Sequence, residues 1–341
     1  VFLGLAKHYR ADIFFERSYD QNRNDKYFVT DEGFTMLNSD EGRKRYQSCL
    51  RRLREYDLVL AYDYTSKKGM QLMLRCIRQG VPYCLNCDGA FINPHPVKDW
   101  IKRFFIRRAR ACFCSGDSAR EYFLHYGARQ ENLYLHDFTS LTEKDIFPNT
   151  ANREEKKKLR EKNGLEDTVL VLTIGQFIYR KGFDILLEAW RQVRGNCRLL
   201  MVGGGEKQQE YEAFIAKYGM DNVTLVGYLD KSKIFEYYRA SDLFVLPTRE
   251  DVWGLVVNEA MACGIPVISS DMCIAGRELI KEGINGYVVP SEDVDRLAEA
   301  LQKLVNQPAL REEMGRNNIR DIQGKTLQNI VESHIKVIDS L

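Results

Sequence analysis

The sequence predicts an α/β protein made of two doubly wound domains facing each other across a cleft, and three observations carry that prediction. Short β-branched or aromatic runs alternate with amphipathic stretches almost from end to end, which is the pattern of parallel sheets covered by helices on both faces. This series runs once through the first 135 residues and begins again near Val169. Between the two, Pro148-Asn149 and the charged run 153–158 mark a linker near 139–152. A chain of 341 residues is long enough for each domain to bury its own core.

In the first domain, placed at 1–145, strands are expected at 12–15, 58–61, 83–87, 111–114 and 133–135. Ser66 reads as a helix N-cap and Gly80 as that helix's stop, and Ser115 or Asp117 is positioned to cap the next helix. The stretch 2–9 reads as a helix ahead of the first of these strands, so the domain's opening strand is expected to be absent. In the second domain, placed at 146–325, strands are expected at 169–174, 199–202, 223–226, 243–246, 267–269 and 287–289. Segment 326–341 puts Leu327, Ile330, Val331, Ile335 and Ile338 on one helical face and is expected to pack back on the body of the protein.

Composition narrows the function classes. With 44% apolar and 29% charged residues, this is a globular chain, and no apolar run approaches membrane-spanning length. Cytoplasmic placement is the expectation, and nine cysteines, an odd and scattered set, fit reduced thiols. Cys84 and Cys87 form a C-x-x-C, but strand alternation sends them to opposite faces and no second pair completes a metal site. Residues 1–145 hold 24 Lys/Arg against 19 Asp/Glu, and the remainder 26 against 29. That asymmetry is too mild for a nucleic-acid partner, although it favours an anionic partner or membrane surface on the first half.

The most informative stretch is Pro247-Thr-Arg-Glu-Asp251-Val-Trp-Gly254-Leu-Val-Val-Asn-Glu259-Ala-Met-Ala-Cys-Gly264-Ile-Pro266. It resembles the E-x7-E signature of the retaining glycosyltransferases of family 4, and bacterial capsule and exopolysaccharide enzymes are the most similar members. The resemblance covers most of the chain and is strongest over 169–306. It implies the GT-B fold, two Rossmann-like domains across a cleft. Asp251 takes the first acid position, since Glu250 falls one residue early, and Trp253-Gly254 stands for the usual Phe-Gly. Glu259 is then the second acid, implied to accept hydrogen bonds from ribose hydroxyls, while Asp251 reaches the transferred sugar. Gly254 removes a side chain just before a helix expected near 256–263, so backbone N–H groups at Leu255 and Val256 and the helix dipole are free to face a pyrophosphate.

Gly175-Gln-Phe-Ile-Tyr-Arg180-Lys181-Gly182 follows a strand and opens a helix. Lys181 resembles the family's phosphate-binding lysine. Gln176 stands where relatives more often carry Arg, and Arg180 is the candidate to supply that missing cation. Gly203-Gly204-Gly205 reads as a turn after a strand, and the resemblance implies that Gly204 and Gly205 line the donor site while Tyr228 contacts the base. In the first domain, Asn86-Cys87-Asp88-Gly89 puts Cys87 where relatives have a His. Asp88 is left either touching sugar or acceptor or merely capping the turn, and His95 is a further candidate on the same loop.

The resemblance implies transfer of a hexosyl group from a UDP- or GDP-sugar to a hydroxyl acceptor, a lipid-linked glycan of surface polysaccharide synthesis, with retention. A nucleotide-sugar donor is the only small partner expected, without a separate cofactor. Metal is expected to be absent from the site, because no D-x-D pair stands at a strand end and Asp293-Val-Asp295 opens a surface helix. Val97, Trp100, Ile101, Phe104 and Phe105 recur at helical spacing among Lys and Arg. Such a 97–110 helix either rests on anionic lipid at the inner face of the membrane or faces the core with a solvated basic side. Competing functions are a sugar-nucleotide epimerase of the same architecture and a catalytically weakened donor-binding protein.

Overall fold

The computed structural model describes residues 1–15 and 34–341. The chain divides into two units, Val1–Phe138 together with Leu327–Leu341, and Thr139–Thr326. The boundary falls seven residues before the expected 145/146, because the intervening residues are bound to the second unit. There, Asp145 pairs with Lys231 at 2.9 Å, and Phe147 N–H donates to the Ala262 carbonyl. Further along the linker, Arg239 grips Glu155 through Nε and Nη2, donates to the Asn149 carbonyl at 2.6 Å, and lies 4.3 Å over the Phe147 ring.

In the first unit, β1 (Ile13–Phe15) and β2 (Phe34–Met36) form a parallel pair, while β3 (Val59–Ala61), β4 (Tyr83–Cys87), β5 (Ala111–Cys114) and β6 (Leu133–Leu135) form a parallel sheet in that order. Three residues are too few for alternation to register, and β2 was not expected from sequence. Ser66 caps the helix Lys67–Gln79 by accepting from Gly69 N–H, and Gly80 ends it in the left-handed region at φ 73°. The next helix, Asp117–His125, is not capped by Ser115 or Asp117: Gly116 takes the N-cap at φ 131°, without a side-chain cap. Only glycine adopts that backbone cheaply, so the cap position was set by conformation rather than by side-chain oxygen. Leu327–Ile338 packs within this unit, with Val331 against Gly4 of the helix Phe2–His8. Helix Pro96–Ile106 divides its apolar residues: Phe105 and Ile106 are buried and Ile101 and Phe104 pack on the core, but Val97 and Trp100 are 64% and 68% exposed.

The second unit holds β7 (Val169–Gln176), β8 (Cys197–Gly204), β9 (Val223–Val226), β10 (Leu243–Leu246), β11 (Val267–Ser270) and β12 (Gly286–Val289). All are parallel in the order β12-β11-β10-β7-β8-β9. Strands β10, β11 and the middle of β7 and β8 are buried on both faces, as expected of a central parallel sheet. Chain order reverses between β7 and β10, the place where such sheets bind ligands beyond their carboxyl ends. Strands β7 and β8 run further than the sequence suggested: Gly203 and Gly204 continue the ladder opposite Gly175 and Gln176 and are not a turn. A Cβ on Gly203 would meet the Gly175 carbonyl oxygen at 1.9 Å, so the glycines permit close passage of two strand ends. Among the described residues no helix is long and apolar enough to cross a membrane.

Candidate functional site

The loops after β7 and β10 meet at the switch point. After β7, Tyr179–Lys181 makes one 3-10 turn and Gly182 follows at φ 67°. A side chain at Gly182 would strike the Pro247 carbonyl oxygen at 2.1 Å, so the loop lies directly on the end of the β10 strand. Arg249 fixes the two loops together. It donates to the Tyr179 carbonyl at 2.8 Å, makes two hydrogen bonds to Asp184 at 2.8 and 2.7 Å, pairs with Glu292, and stacks 3.9 Å over Tyr179. Its hydrogen bonds with Asp184 hold the guanidinium above its ordinary pKa, while Arg249 in turn helps hold the Asp184 carboxyl below its own against the opposing effect of burial. Nothing in the sequence singled out Arg249; an Arg directly after the Pro-Thr of a strand-end loop was its one visible signal.

This stapling places the cations. Lys181 Nζ bonds Asp251 Oδ2, and Arg180 Nη1 stands 3.7 Å from Asp251 Oδ1 while donating to the Glu250 carbonyl at 2.7 Å. The stem of Lys181 passes Gly175, whose imagined Cβ would touch Lys181 Cδ at ordinary contact distance, 3.7 Å. Thus Gly175 at the end of β7 and Arg180, Lys181 and Asp251 from the two loops form one cluster. Gln176, the last residue of β7, lies level with Gly204.

Gly254 lies at φ 97° immediately before the helix Leu255–Ala262, one residue earlier than expected, and no side chain caps that helix. Its missing side chain makes room for Cys273, whose Sγ would lie 2.6 Å from a Cβ there. Cys273 Sγ and Ala275 N–H both bond the Trp253 carbonyl, and the buried Trp253 indole donates to Asn258 Oδ1 at 2.8 Å. The N–H groups at Leu255 and Val256, with no side-chain cap, therefore start a helix whose approach is fixed on both sides.

Glu259 sits one turn further on. Tyr238, fully buried on the helix Lys231–Ala240, places its hydroxyl 3.2 Å from Glu259 Oε2 and 3.1 Å from the Val256 carbonyl. Burial pushes the Glu259 carboxyl up to about 7 despite the Tyr238 hydrogen bond. Tyr238 is a second residue without a sequence signal, because one Tyr in an amphipathic helix has no distinguishing local pattern. On the other flank, Tyr228 lays its ring against Gly204, donates to that residue's carbonyl at 2.7 Å, and remains half exposed. Gly205, at φ 152°, lets the chain pass Phe177, whose carbonyl would lie 2.7 Å from a Cβ.

Asp88 belongs to the first unit, at the end of β4, where Asn86 Nδ2 donates to it at 2.6 Å and burial raises its carboxyl above the usual range. His95 caps the helix Pro96–Ile106 by accepting from Lys98 N–H at 3.4 Å. Among the described residues no group of three or more His, Cys, Asp or Glu is arranged to hold a metal ion.

The family Glycosyl transferases group 1 matches residues 155–321. The chain is 30% identical over 226 residues to an alpha-D-kanosaminyltransferase of Streptomyces kanamyceticus, covering 65% of this chain and 58% of that one. It is 27% identical over 326 residues to the capsular polysaccharide biosynthesis glycosyltransferase CapM of Staphylococcus aureus, covering 82% and 84%. The matched stretch spans about half the length of most of these curated relatives, as with the 52% matched in a GDP-mannose-dependent mannosyltransferase of Corynebacterium glutamicum. In fold the chain is similar to Anabaena HepE, solved with UDP, at a TM-score of 0.76 and 18% identity over 90% of this chain and 86% of that one. It is similar also to sucrose-phosphate synthase of Thermosynechococcus elongatus, at 0.75 and 20% over 99% and 90%. Both units therefore have the Rossmann-like architecture of GT-B glycosyltransferases, and residues 155–321 match the glycosyl transferases group 1 family.

Proposed function

We propose that this chain is a retaining, metal-independent glycosyltransferase that moves a hexosyl group from a UDP- or GDP-sugar to a hydroxyl acceptor, a lipid-linked glycan of surface polysaccharide synthesis. The observation that carries the reading is the meeting of Arg180, Lys181, Asp251 and the uncapped helix start after Gly254 at the switch point of the second unit. Negative charge grows on the departing diphosphate, and two fixed cations with a helix N-terminus stabilise it without reorganising. That arrangement neutralises the leaving group without a divalent ion. Glu259 accepts from the ribose, Tyr228 with Gly204 and Gly205 borders the base, and Gln176 lies beside them. On donor binding, Lys181 exchanges the Asp251 carboxylate for phosphate oxygens, which releases Asp251 to the sugar. The acceptor hydroxyl attacks from the face the diphosphate leaves, and the diphosphate takes its proton.

Capsular and mannosyl relatives support a glycan or lipid-linked acceptor, with Asp88 in the first unit as a contact. The exposed Trp100 and Val97, flanked by Lys98 and Arg103 on their helix, support peripheral docking on an anionic cytoplasmic leaflet.

The test is a panel of UDP- and GDP-hexoses with lipid-linked acceptors, followed by nucleotide diphosphate release and product anomeric configuration. Transfer with retention is expected. Epimerised donor without diphosphate release indicates the epimerase, and binding without turnover indicates a weakened donor-binding protein. Lys181→Ala is expected to lower turnover by ~10²–10³-fold, the loss typical of removing one charge-stabilising group. EDTA is expected to leave the rate unchanged; loss restored by a divalent ion overturns the metal-free assignment.

A further inference from the structure

The Tyr238 hydroxyl has one proton and two acceptors within reach. The Val256 carbonyl lies 3.1 Å away and Glu259 Oε2 3.2 Å away, so it donates to only one at a time. When Glu259 is protonated, the acid donates to the Tyr238 oxygen and the tyrosine proton turns to Val256. When Glu259 is ionised, the tyrosine proton turns to the carboxylate, and the Val256 carbonyl keeps its bond within the helix. No covalent bond changes in the tyrosine; the proton lost by Glu259 goes to solvent.

Accepting the donor-site reading above, on which this rests, we infer that Tyr238 is a positioning residue for ribose recognition: it holds Oε2 of the ionised Glu259, leaves the other oxygen to the ribose hydroxyls, and makes nucleotide binding release a proton. Ribose hydroxyls must donate to Glu259, and they do so far better to a carboxylate than to an acid. Burial opposes ionisation and leaves the carboxyl near neutrality, at about 7, so binding and proton release are coupled in the neutral range.

The neighbouring charges leave this coupling to the Tyr–Glu pair. Lys231, at the start of the Tyr238 helix, is ion-paired with Asp145 from the linker, so their opposite effects on Glu259 offset. Arg239 is likewise held by Glu155, and the Cys263 thiol, at the C-cap of Glu259's own helix, is kept protonated by burial. Tyr238 itself stays protonated, since burial raises its hydroxyl well above 10.

The test is calorimetry of UDP and of GDP binding to the full chain from pH 5.5 to 8.5, with wild type, Tyr238→Phe and Glu259→Gln, in buffers of different ionisation enthalpy. Wild type is expected to lose affinity towards tenfold per pH unit below about 7 and to release about one proton at pH 6. Glu259→Gln should bind weakly with no pH dependence. Tyr238→Phe should match wild type at pH 8.5, while its midpoint moves up by about one pH unit, the effect of losing one hydrogen bond to a charge. Affinity lowered equally at every pH would show a packing role and overturn the inference. A second readout needs no ligand: carboxyl ¹³C NMR of free protein should show the Glu259 titration moving up in Tyr238→Phe, and an unmoved midpoint would also overturn it. If neither nucleotide binds wild type at any pH, the donor-site reading itself fails. If binding is present and lost in Glu259→Gln but unaltered in Tyr238→Phe, only the role of Tyr238 fails.

Discussion

Glu259 is a carboxylate in a place that folding alone would not choose. Its folded-state pKa of about 7 lies above the ordinary 4.5 because burial removes the charge from water. A group raised in this way gives the folded state an advantage that is complete below the unfolded value of 4.5 and is lost as pH rises through 7. At pH 8 the ionised Glu259 therefore costs the ligand-free protein about 3 kcal/mol relative to acid conditions. Glu259→Gln keeps the shape and removes the charge, so it should raise Tm at pH 8 while leaving Tm near pH 4 almost unchanged. Thermal unfolding at both values checks this, and a variant no more stable at pH 8 than wild type would mean the carboxylate is better solvated than its surroundings indicate. The same variant should lose most nucleotide affinity, so stability and binding move in opposite directions at one residue, as at other sites that hold a group for function.

At the scale of elements, the site depends on how tightly loops approach each other. Gly254 shows this, since it needs both a left-handed backbone at φ 97° and room for Cys273 Sγ at 2.6 Å. Gly283 is a useful contrast: it is left-handed at φ 72° but has open space around its missing side chain. Gly283→Ala should cost about 1 kcal/mol for conformation alone. Gly254→Ala should cost about 1–3 kcal/mol more, because the helix start or the buried thiol must shift, and it alone should weaken nucleotide binding. Chemical denaturation with UDP and GDP titrations separates the two. The helix after Gly254 and the Lys181 loop were legible in sequence because each combines a strand, a glycine and a helix within a few residues. Their partners were not. Arg249 bridges to Asp184 across 65 positions and Tyr238 reaches Glu259 across 21, and such pairings follow from tertiary packing that no local period encodes. The over-short β7 and β8 have the same origin: glycine reads as a turn locally, whereas here it lets two strand ends run side by side.

For the molecule as a whole, the chain passes between the units twice, after Phe138 and after Thr326. The second unit has its own apolar core, in which helices Phe183–Trp190 and Val294–Asn306 pack against the sheet around Trp190, Leu199 and Leu301. It also holds its own linker. Arg239 grips Glu155 and Asn149, and Arg160 with Lys156 surrounds the buried Asp242, whose carboxyl is held below its ordinary range although burial pushes the other way. Breaking such a buried set by removing one partner leaves an uncompensated charge, so the linker residues belong in any fragment that is to fold. Residues 139–326 should accordingly unfold as one cooperative unit, with a single transition in circular dichroism and a heat effect to match. A fragment beginning at 163, which omits Glu155, Lys156 and Arg160, should be markedly less stable or aggregate. Because Lys181, Asp251, Gly254, Tyr238 and Glu259 all lie within 139–326, that fragment should bind UDP or GDP within about threefold of the full chain, a difference of under 1 kcal/mol. It should transfer no sugar, since Asp88 and the rest of the first unit are gone. Full transfer by the fragment would remove the first unit from the reaction, and failure to bind a nucleotide that the full chain binds would show that the donor site needs residues outside 139–326.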